Sequence, residues 1–150
     1  MNKTIFVDSY LRQEKPFLFV DRATLAPNGE KIIGYRYFDA SEKYFSGHFP
    51  DEPIVPGVLL LEAMAQLCRL WMNYEAGQMK QGYLSQIHTA NFNRQVRPGD
   101  EIRIEARRIP GELTVNLKAS HIDHFKCAVY VGETRCSRAE IVLHQMSNAD

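Results

Sequence analysis

The sequence predicts a single α+β domain over residues 1–150, in which one long buried helix is wrapped by a curved antiparallel sheet. Two observations predict it. The stretch from Val58 to Met72 is apolar nearly all round, which is typical of a buried helix. The rest of the chain divides into short strand-like segments separated by Gly, Pro and Asn turns, without an internal repeat or a linker.

The elements up to the end of the helix follow from local patterns. Pro-Asn-Gly is a turn signal, prolines deny a segment helix because each fixes φ and lacks an N–H, and glycine often ends a helix. We therefore predict a short helix or arm in residues 1–15, strands at Phe17–Leu25 and Lys31–Phe38, a stiff loop at Tyr44–Pro56, and a helix from Val58 to about Ala76 ended by Gly77.

The remainder is predicted to be strands, because apolar residues alternate with charged ones, as at Ile102, Ile104 and Ala106. Pro-Gly and Gly turns separate the segments. The predicted strands are Tyr83–Val96, Glu101–Ile109, Leu113–Ile122, Lys126–Val131 and Arg135–His144.

Composition and charge exclude several classes of protein. Lys+Arg and Asp+Glu each number 18, and this balance argues against a nucleic-acid-binding domain. No uncharged apolar stretch reaches about 18 residues, so no membrane span is predicted, and the first fifteen residues lack a signal-peptide pattern. Three cysteines without CxxC spacing favour free thiols in a reducing compartment, and we expect a cytoplasmic protein.

Four polar residues interrupt the apolar helix along one narrow stripe. Glu62, Gln66, Arg69 and Asn73 are spaced by four, three and four residues, which places them on one side of a helix. A carboxylate in such surroundings is paired with neighbours such as Arg69, kept neutral, or chemically active.

His48 is the histidine with the most suggestive setting. Gly47 gives backbone freedom on one side, Phe49 gives an apolar wall on the other, and three prolines stiffen the segment that follows. Such rigidity suits a base aimed at a substrate, although a lone loop histidine is commonly structural. No His, Cys or acidic residues have the spacing of a metal site, so we predict neither a metal nor another cofactor.

The segment from Tyr44 to Gln66 resembles the active-site signature of the β-hydroxyacyl-acyl carrier protein dehydratases of bacterial fatty-acid synthesis, in their non-isomerising form. Weaker similarity extends to residues 16–22 and 96–100. The matching residues are Gly47-His48-Phe49-Pro50, Pro53, Pro56-Gly57-Val58-Leu59 and Glu62-Ala63-Met64-Ala65-Gln66.

The resemblance implies a fold, an activity and partners. The fold is the hotdog fold. The activity is cofactor-free dehydration of (3R)-hydroxyacyl-acyl carrier protein thioesters to trans-2-enoyl thioesters, in fatty-acid or a related specialised acyl or polyene biosynthesis. The implied partners are an acyl carrier protein and a second copy of the chain, because each site joins two subunits of a homodimer and trimers of dimers are common.

The resemblance also assigns roles. His48 takes the C2 proton, and Glu62 helps the C3 hydroxyl to leave as water. The Gly57 N–H at the helix N-terminus binds the thioester carbonyl, with a plain turn glycine as the alternative. Gln66, one turn beyond Glu62, orients the carboxylate or lies at the subunit interface.

Further residues are predicted around this site. Phe49, Leu59, Met64 and Phe92 are candidates for an acyl tunnel, although core packing is the commoner role of any one of them. Arg94 and Arg97 are candidates for docking the acidic carrier protein. Asp51-Glu52 stands where many relatives carry Gly-Arg, which suggests an unusual acyl group.

Three other functions stay open on the sequence. A hotdog thioesterase generally places its carboxylate in a different motif. A dehydratase that also isomerises the double bond typically carries aspartate at the position of Glu62. A non-catalytic acyl-binding subunit would not need His48, Gly57 and Glu62 together.

Overall fold

One sheet and one long helix dominate the computed structural model, which describes residues 1–109, 115–117 and 120–146. Within these residues, two α-helices and a short 3₁₀ helix, Lys43–Ser46, accompany eight strands. The α-helices are α1 (Val7–Tyr10) and α2 (Gly57–Ala76). The strands are β1 (Lys3–Ile5), β2 (Arg22–Leu25), β3 (Ile32–Tyr37), β4 (Gly82–Phe92), β5 (Glu101–Arg108), β6 (Val115–Leu117), β7 (Ser120–Val131) and β8 (Thr134–Met146).

Helix α2 forms the centre of the core. It begins after Pro56, and it ends at Gly77, whose φ of 74° allows its N–H to reach the carbonyls of Asn73 and Tyr74. Leu67, Leu70 and other side chains along the helix are almost fully buried against the sheet. Each large apolar side chain that is buried in this way contributes about 1.5–3 kcal/mol to the stability of the fold.

The sheet is antiparallel throughout, in the order β1-β2-β3-β5-β7-β8-β4, with β6 paired to β7. Helix α2 connects β3, in the middle of this order, to β4 at its end. Among the described strands β4 pairs with β8 alone, which leaves one long edge of an eleven-residue strand open. The predicted α+β architecture is confirmed.

The predicted strand Phe17–Leu25 is wrong in its first half, because the strand begins at Arg22. Gln66 of α2 explains the difference: its side-chain amide binds the carbonyl of Phe17 and the N–H of Phe19. These backbone groups therefore bond to the helix rather than to a neighbouring strand.

The C-terminal strands are longer than predicted. Residues 120–131 form one strand, where a break after Ile122 was expected. The polar Asp123 continues the strand because its carboxylate accepts hydrogen bonds from Arg108 (3.0 Å) and His121 (3.1 Å). The predicted start at Leu113 lies outside the described residues.

Strand β4 was predicted to end at Val96, but it ends at Phe92. Beyond it, the N–H groups of Asn93 and Arg94 donate to the Cys136 carbonyl, and the Val96 carbonyl accepts from Val55. The chain therefore leaves the sheet after Phe92, and Val96 binds the loop that precedes α2 through its carbonyl. No helix among the described residues is long and apolar enough to cross a membrane.

Candidate active site

His48 lies in a loop whose backbone hydrogen bonds hold its ring in one orientation. Its Nδ1 is 3.1 Å from the Ile54 carbonyl oxygen, and the Ile54 N–H donates back to the His48 carbonyl at 2.9 Å. Because a carbonyl oxygen can only accept, Nδ1 carries the proton and Nε2 of the neutral ring keeps its lone pair. The Phe49 ring stacks on the imidazole with centroids 4.2 Å apart. His48 is therefore prepared to accept a proton at Nε2.

A partly buried ion pair lies next to this loop. Arg36 pairs with Glu42, and the Tyr44 hydroxyl donates to the same carboxylate at 2.8 Å. Burial, with that hydrogen bond, raises the pKa of Tyr44, so the phenol remains protonated. The Tyr44 carbonyl in turn accepts from the N–H groups of Gly47 and His48. The sequence-based predictions missed this cluster; the available signal was that Arg36 lies on the same face of the predicted strand as Ile32.

Gly57 opens α2 at the wall of a groove of about 330 Å³. The groove is also lined by Ile54, Phe92 and Arg94. The first N–H groups of a helix have no partner within the helix and sit at the positive end of its dipole. A Cβ at position 57 would lie 3.0 Å from the Phe92 ring, so the glycine keeps this end of the groove open. The arrangement suits binding of a carbonyl oxygen.

Glu62 is held by the side chain of Gln66. Gln66 is 1% exposed, and its Nε2 donates to Glu62 Oε2 at 3.0 Å and to the Phe17 carbonyl at 3.0 Å. Its Oε1 accepts from the Phe19 N–H at 2.8 Å, which fixes the orientation of the amide. Both amide hydrogens are thus committed, and one of them positions a half-buried carboxylate.

Glu62 and Gln66 line a polar cavity of about 180 Å³ together with Gln13, Arg69 and Gly82. Arg69 is 6% exposed, and burial lowers the pKa of its guanidinium, which nonetheless stays charged at neutral pH. Its Nη1 makes no hydrogen bond among the described residues, and neither does Gln13 Oε1. Gln13 and Gly82 were not predicted, since neither belongs to a motif.

Other predicted site residues differ in burial. Phe49 and Phe92 are each 48% exposed, Leu59 is half-buried, and Met64 is fully buried in the core. Their assignment to an acyl tunnel stays a prediction. Among the described residues no group of His, Cys, Asp and Glu could hold a metal ion.

The two predicted docking arginines also differ. Arg94 is exposed at the rim of the Gly57 groove. Arg97 pairs with Glu52 at 3.3 Å, so its charge is partly neutralised by the acidic loop after His48.

The candidate catalytic residues occupy two separate places in one chain. His48 contacts Ile54 at the Gly57 groove, whereas Glu62 lines the polar cavity, and neither of these two spaces is lined by both residues. Gly57 and Glu62 are five residues apart, which is about 140° around the helix axis. Gly57 and Glu62 therefore lie on different sides of α2.

A family model for the FabA-like domain matches residues 11–138, which include His48, Gly57 and Glu62. The chain belongs to the FabA-like family. Curated relatives agree with this membership and confirm the predicted dehydratase resemblance. The chain is 41% identical over 130 residues to the 3-hydroxyacyl-[acyl-carrier-protein] dehydratase FabZ of Pelotomaculum thermopropionicum, covering 85% of this chain and 86% of the relative. It is 38% identical over 135 residues to FabZ of Bartonella bacilliformis, covering 89% and 83%.

Solved structures agree with the hotdog fold of this FabA-like chain. The dehydratase heterocomplex ApeI:P from Xenorhabdus doucetiae matches with a TM-score of 0.73 at 15% identity, over 95% of this chain and 91% of that one. The uncharacterised protein PH1136 from Pyrococcus horikoshii matches with a TM-score of 0.62 at 12% identity, over 87% and 85%. At such identities the likeness concerns the fold alone.

Proposed function

We propose that this chain dehydrates 3-hydroxyacyl thioesters of an acyl carrier protein, with His48 and Glu62 acting as base and acid. The proposal rests on the hydrogen bonds of two side chains. His48 is held with Nε2 free to accept a proton, and the Glu62 carboxylate is held in place by Gln66. Curated FabZ relatives at 35–41% identity over most of the chain support the reaction class.

In the proposed reaction, His48 removes one proton from the substrate and Glu62 donates one proton to the leaving hydroxyl. His48 Nε2 takes the proton from C2, and the electron pair left behind forms an enolate on the thioester carbonyl, which accepts a hydrogen bond from Gly57 N–H. The C2=C3 double bond then forms as the C3–O bond breaks, and the leaving hydroxyl takes a proton from Glu62. The products are one water and one enoyl thioester. The proton on His48 returns to Glu62 through solvent.

We infer that the functional unit contains at least two copies of the chain. The open edge of β4 carries unpaired backbone groups, and its side chains Tyr83, Ile87 and Phe92 are 44–51% exposed. A long apolar edge strand is a natural site for pairing with a second chain. Pairing of this kind would bring His48 of one copy towards Glu62 of the other, as in the resembled family.

Mixing of inactive variants tests the function and the shared site together. We expect His48→Ala and Glu62→Gln proteins to be inactive alone and to regain activity when they exchange subunits, because one site of a mixed dimer keeps both wild-type residues. The measurement is formation of the conjugated enoyl thioester from a 3-hydroxyacyl-carrier substrate. A mixture of His48→Ala with a second His48→Ala preparation is the control. Absence of recovery after exchange has been demonstrated by mass spectrometry would refute the shared site.

Carrier docking gives a further prediction. Arg94→Glu is expected to raise the KM for the carrier-bound substrate several-fold, because exposed charges steer an acidic partner. The effect should shrink at high salt, and it should be small for a short thioester mimic without the carrier. Arg22→Glu is the matched control: it reverses an exposed arginine that pairs with Glu101 away from the groove. Equal effects of Arg94→Glu on carrier-bound and carrier-free substrates would rule out a docking role.

A further inference from the structure

Arg69 is a buried charge that no part of the described chain neutralises by contact. It is 6% exposed, it makes no ion pair with any described residue, and its Nη1 has no hydrogen-bond partner. The carboxylate that acts on its charge is that of Glu62, two turns earlier on α2, without direct contact. A buried guanidinium without a partner destabilises a protein, so its presence here points to a ligand group that it binds.

The cavity beside Arg69 has the size and the polar lining to hold a polar group. The cavity of about 180 Å³ that it lines is far larger than one water requires, and Gln13, which also lines it, has a second buried atom without a partner, Oε1. Gly82 allows the guanidinium to lie against β4, because a Cβ at that position would be 1.9 Å from Arg69 Nη1 and 2.3 Å from the His144 carbonyl. Any larger residue at position 82 would displace the guanidinium.

The two free atoms define the chemistry of the ligand. A guanidinium only donates hydrogen bonds, and an amide oxygen only accepts them. A hydroxyl group satisfies both, since it accepts from Nη1 and donates to Gln13 Oε1. A carboxylate does not, because it cannot donate to Gln13 and because the Glu62 carboxylate lines the same cavity. An unsubstituted hydrocarbon chain would leave both atoms unpaired.

We propose that this cavity selects 3-hydroxyacyl thioesters whose acyl group carries a second hydroxyl, bound between Arg69 and Gln13. The inference rests on the proposed function, which places C3 of the substrate beside Glu62. Arg69 lies seven residues further along α2, about 10 Å along the helix axis. The part of the acyl group beyond C3 would therefore extend along the polar stripe towards Arg69.

Competition between matched substrates tests the proposal. The wild-type protein is given pairs of 3-hydroxyacyl thioesters of equal length, with and without a terminal hydroxyl, over a series of chain lengths. We expect kcat/KM to favour the hydroxyl-bearing member at one length by about 10- to 150-fold, the value of one hydrogen bond to a charged group. Arg69→Met and Gln13→Leu should each reduce this ratio, and Arg69→Lys should keep part of it.

Stability separates a binding role from a structural one. Because Arg69 is an unpaired buried charge, Arg69→Met is expected to raise Tm and to leave the oligomeric state unchanged by light scattering. A fall in Tm or dissociation would mean that Arg69 holds the fold or the subunit interface, and would overturn the proposal. Equal kcat/KM for both substrates, or a preference that survives Arg69→Met, would also overturn it. Turnover of neither substrate by the wild-type protein would instead refute the proposed dehydratase function.

Discussion

His48→Ala and Glu62→Gln are each expected to lower kcat for dehydration by about 10²- to 10⁴-fold, the usual contribution of a positioned base or acid. The fold should be unaffected, because neither side chain is fully buried and glutamine preserves the shape of Glu62. Since the two residues act on one transition state, the double variant should be little worse than the poorer single variant. The measurement is steady-state formation of the enoyl thioester, with circular dichroism as the check on folding.

Glu75→Gln is the matched control for the Glu62 variant. Glu75 lies on the same helix, three turns or more beyond Glu62, and its exposed carboxylate pairs with Arg108. The control should therefore retain nearly all of the activity. A single variant at position 48 or 62 with near-normal kcat would remove that residue from the mechanism.

Gln66→Leu is expected to lower both stability and kcat. The change leaves the buried Phe19 N–H without its acceptor, which costs about 1–3 kcal/mol of the free energy of unfolding. It also releases Glu62 from its 3.0 Å hydrogen bond, so the acid is no longer held in place. A misplaced catalytic group can reduce the rate by about 10²-fold, and we expect a loss of that order in kcat with a smaller change in KM.

Asn73→Leu separates the two effects of the Gln66 change. Asn73 is a fully buried amide on the same stripe of α2, and it binds the Tyr10 carbonyl and the Gln145 side chain, away from Glu62. Its loss should destabilise the protein by a similar amount while kcat per folded molecule stays near the wild-type value. If both variants lower kcat equally, Gln66 acts through stability alone.

The long helix and most of the strands could be predicted from the sequence, because their signals are local. The run from Val58 to Met72 has one interpretation as a buried helix, and Gly77 ends it as expected. The strand bounds that were predicted wrongly depend on contacts between residues that are distant in the sequence. The segment at Phe17 bonds to Gln66 rather than to a strand, and β7 passes through Asp123 because Arg108 pairs with its carboxylate and His121 donates a hydrogen bond to it. Gln66 and Arg108 are far from these segments in the sequence, so local patterns could not identify them as partners.

The candidate site was predictable to the extent that it forms a contiguous motif. The predicted family and hydro-lyase class are confirmed by the relatives, and the structure contains the predicted hydrogen bond from Gln66 to Glu62. The roles of His48, Glu62 and Gly57 stay predictions until they are measured. The cavity of Gln13, Arg69 and Gly82 could not be foreseen, because it depends on three separate elements that meet only in the folded chain.

The position of β4 has a consequence for how this protein is made. Its described strand partner is β8, so β4 cannot pair until the segment Thr134–Met146 has left the ribosome. Until then α2, with its apolar surface, is followed by an unsatisfied strand of eleven residues. Pairings between residues far apart in sequence form slowly, and unpaired strands aggregate. The cavity beside Glu62, which Tyr83 of β4 and Leu143 of β8 both line, can therefore form only once β8 has been made, and the nascent chain is most vulnerable to aggregation before then.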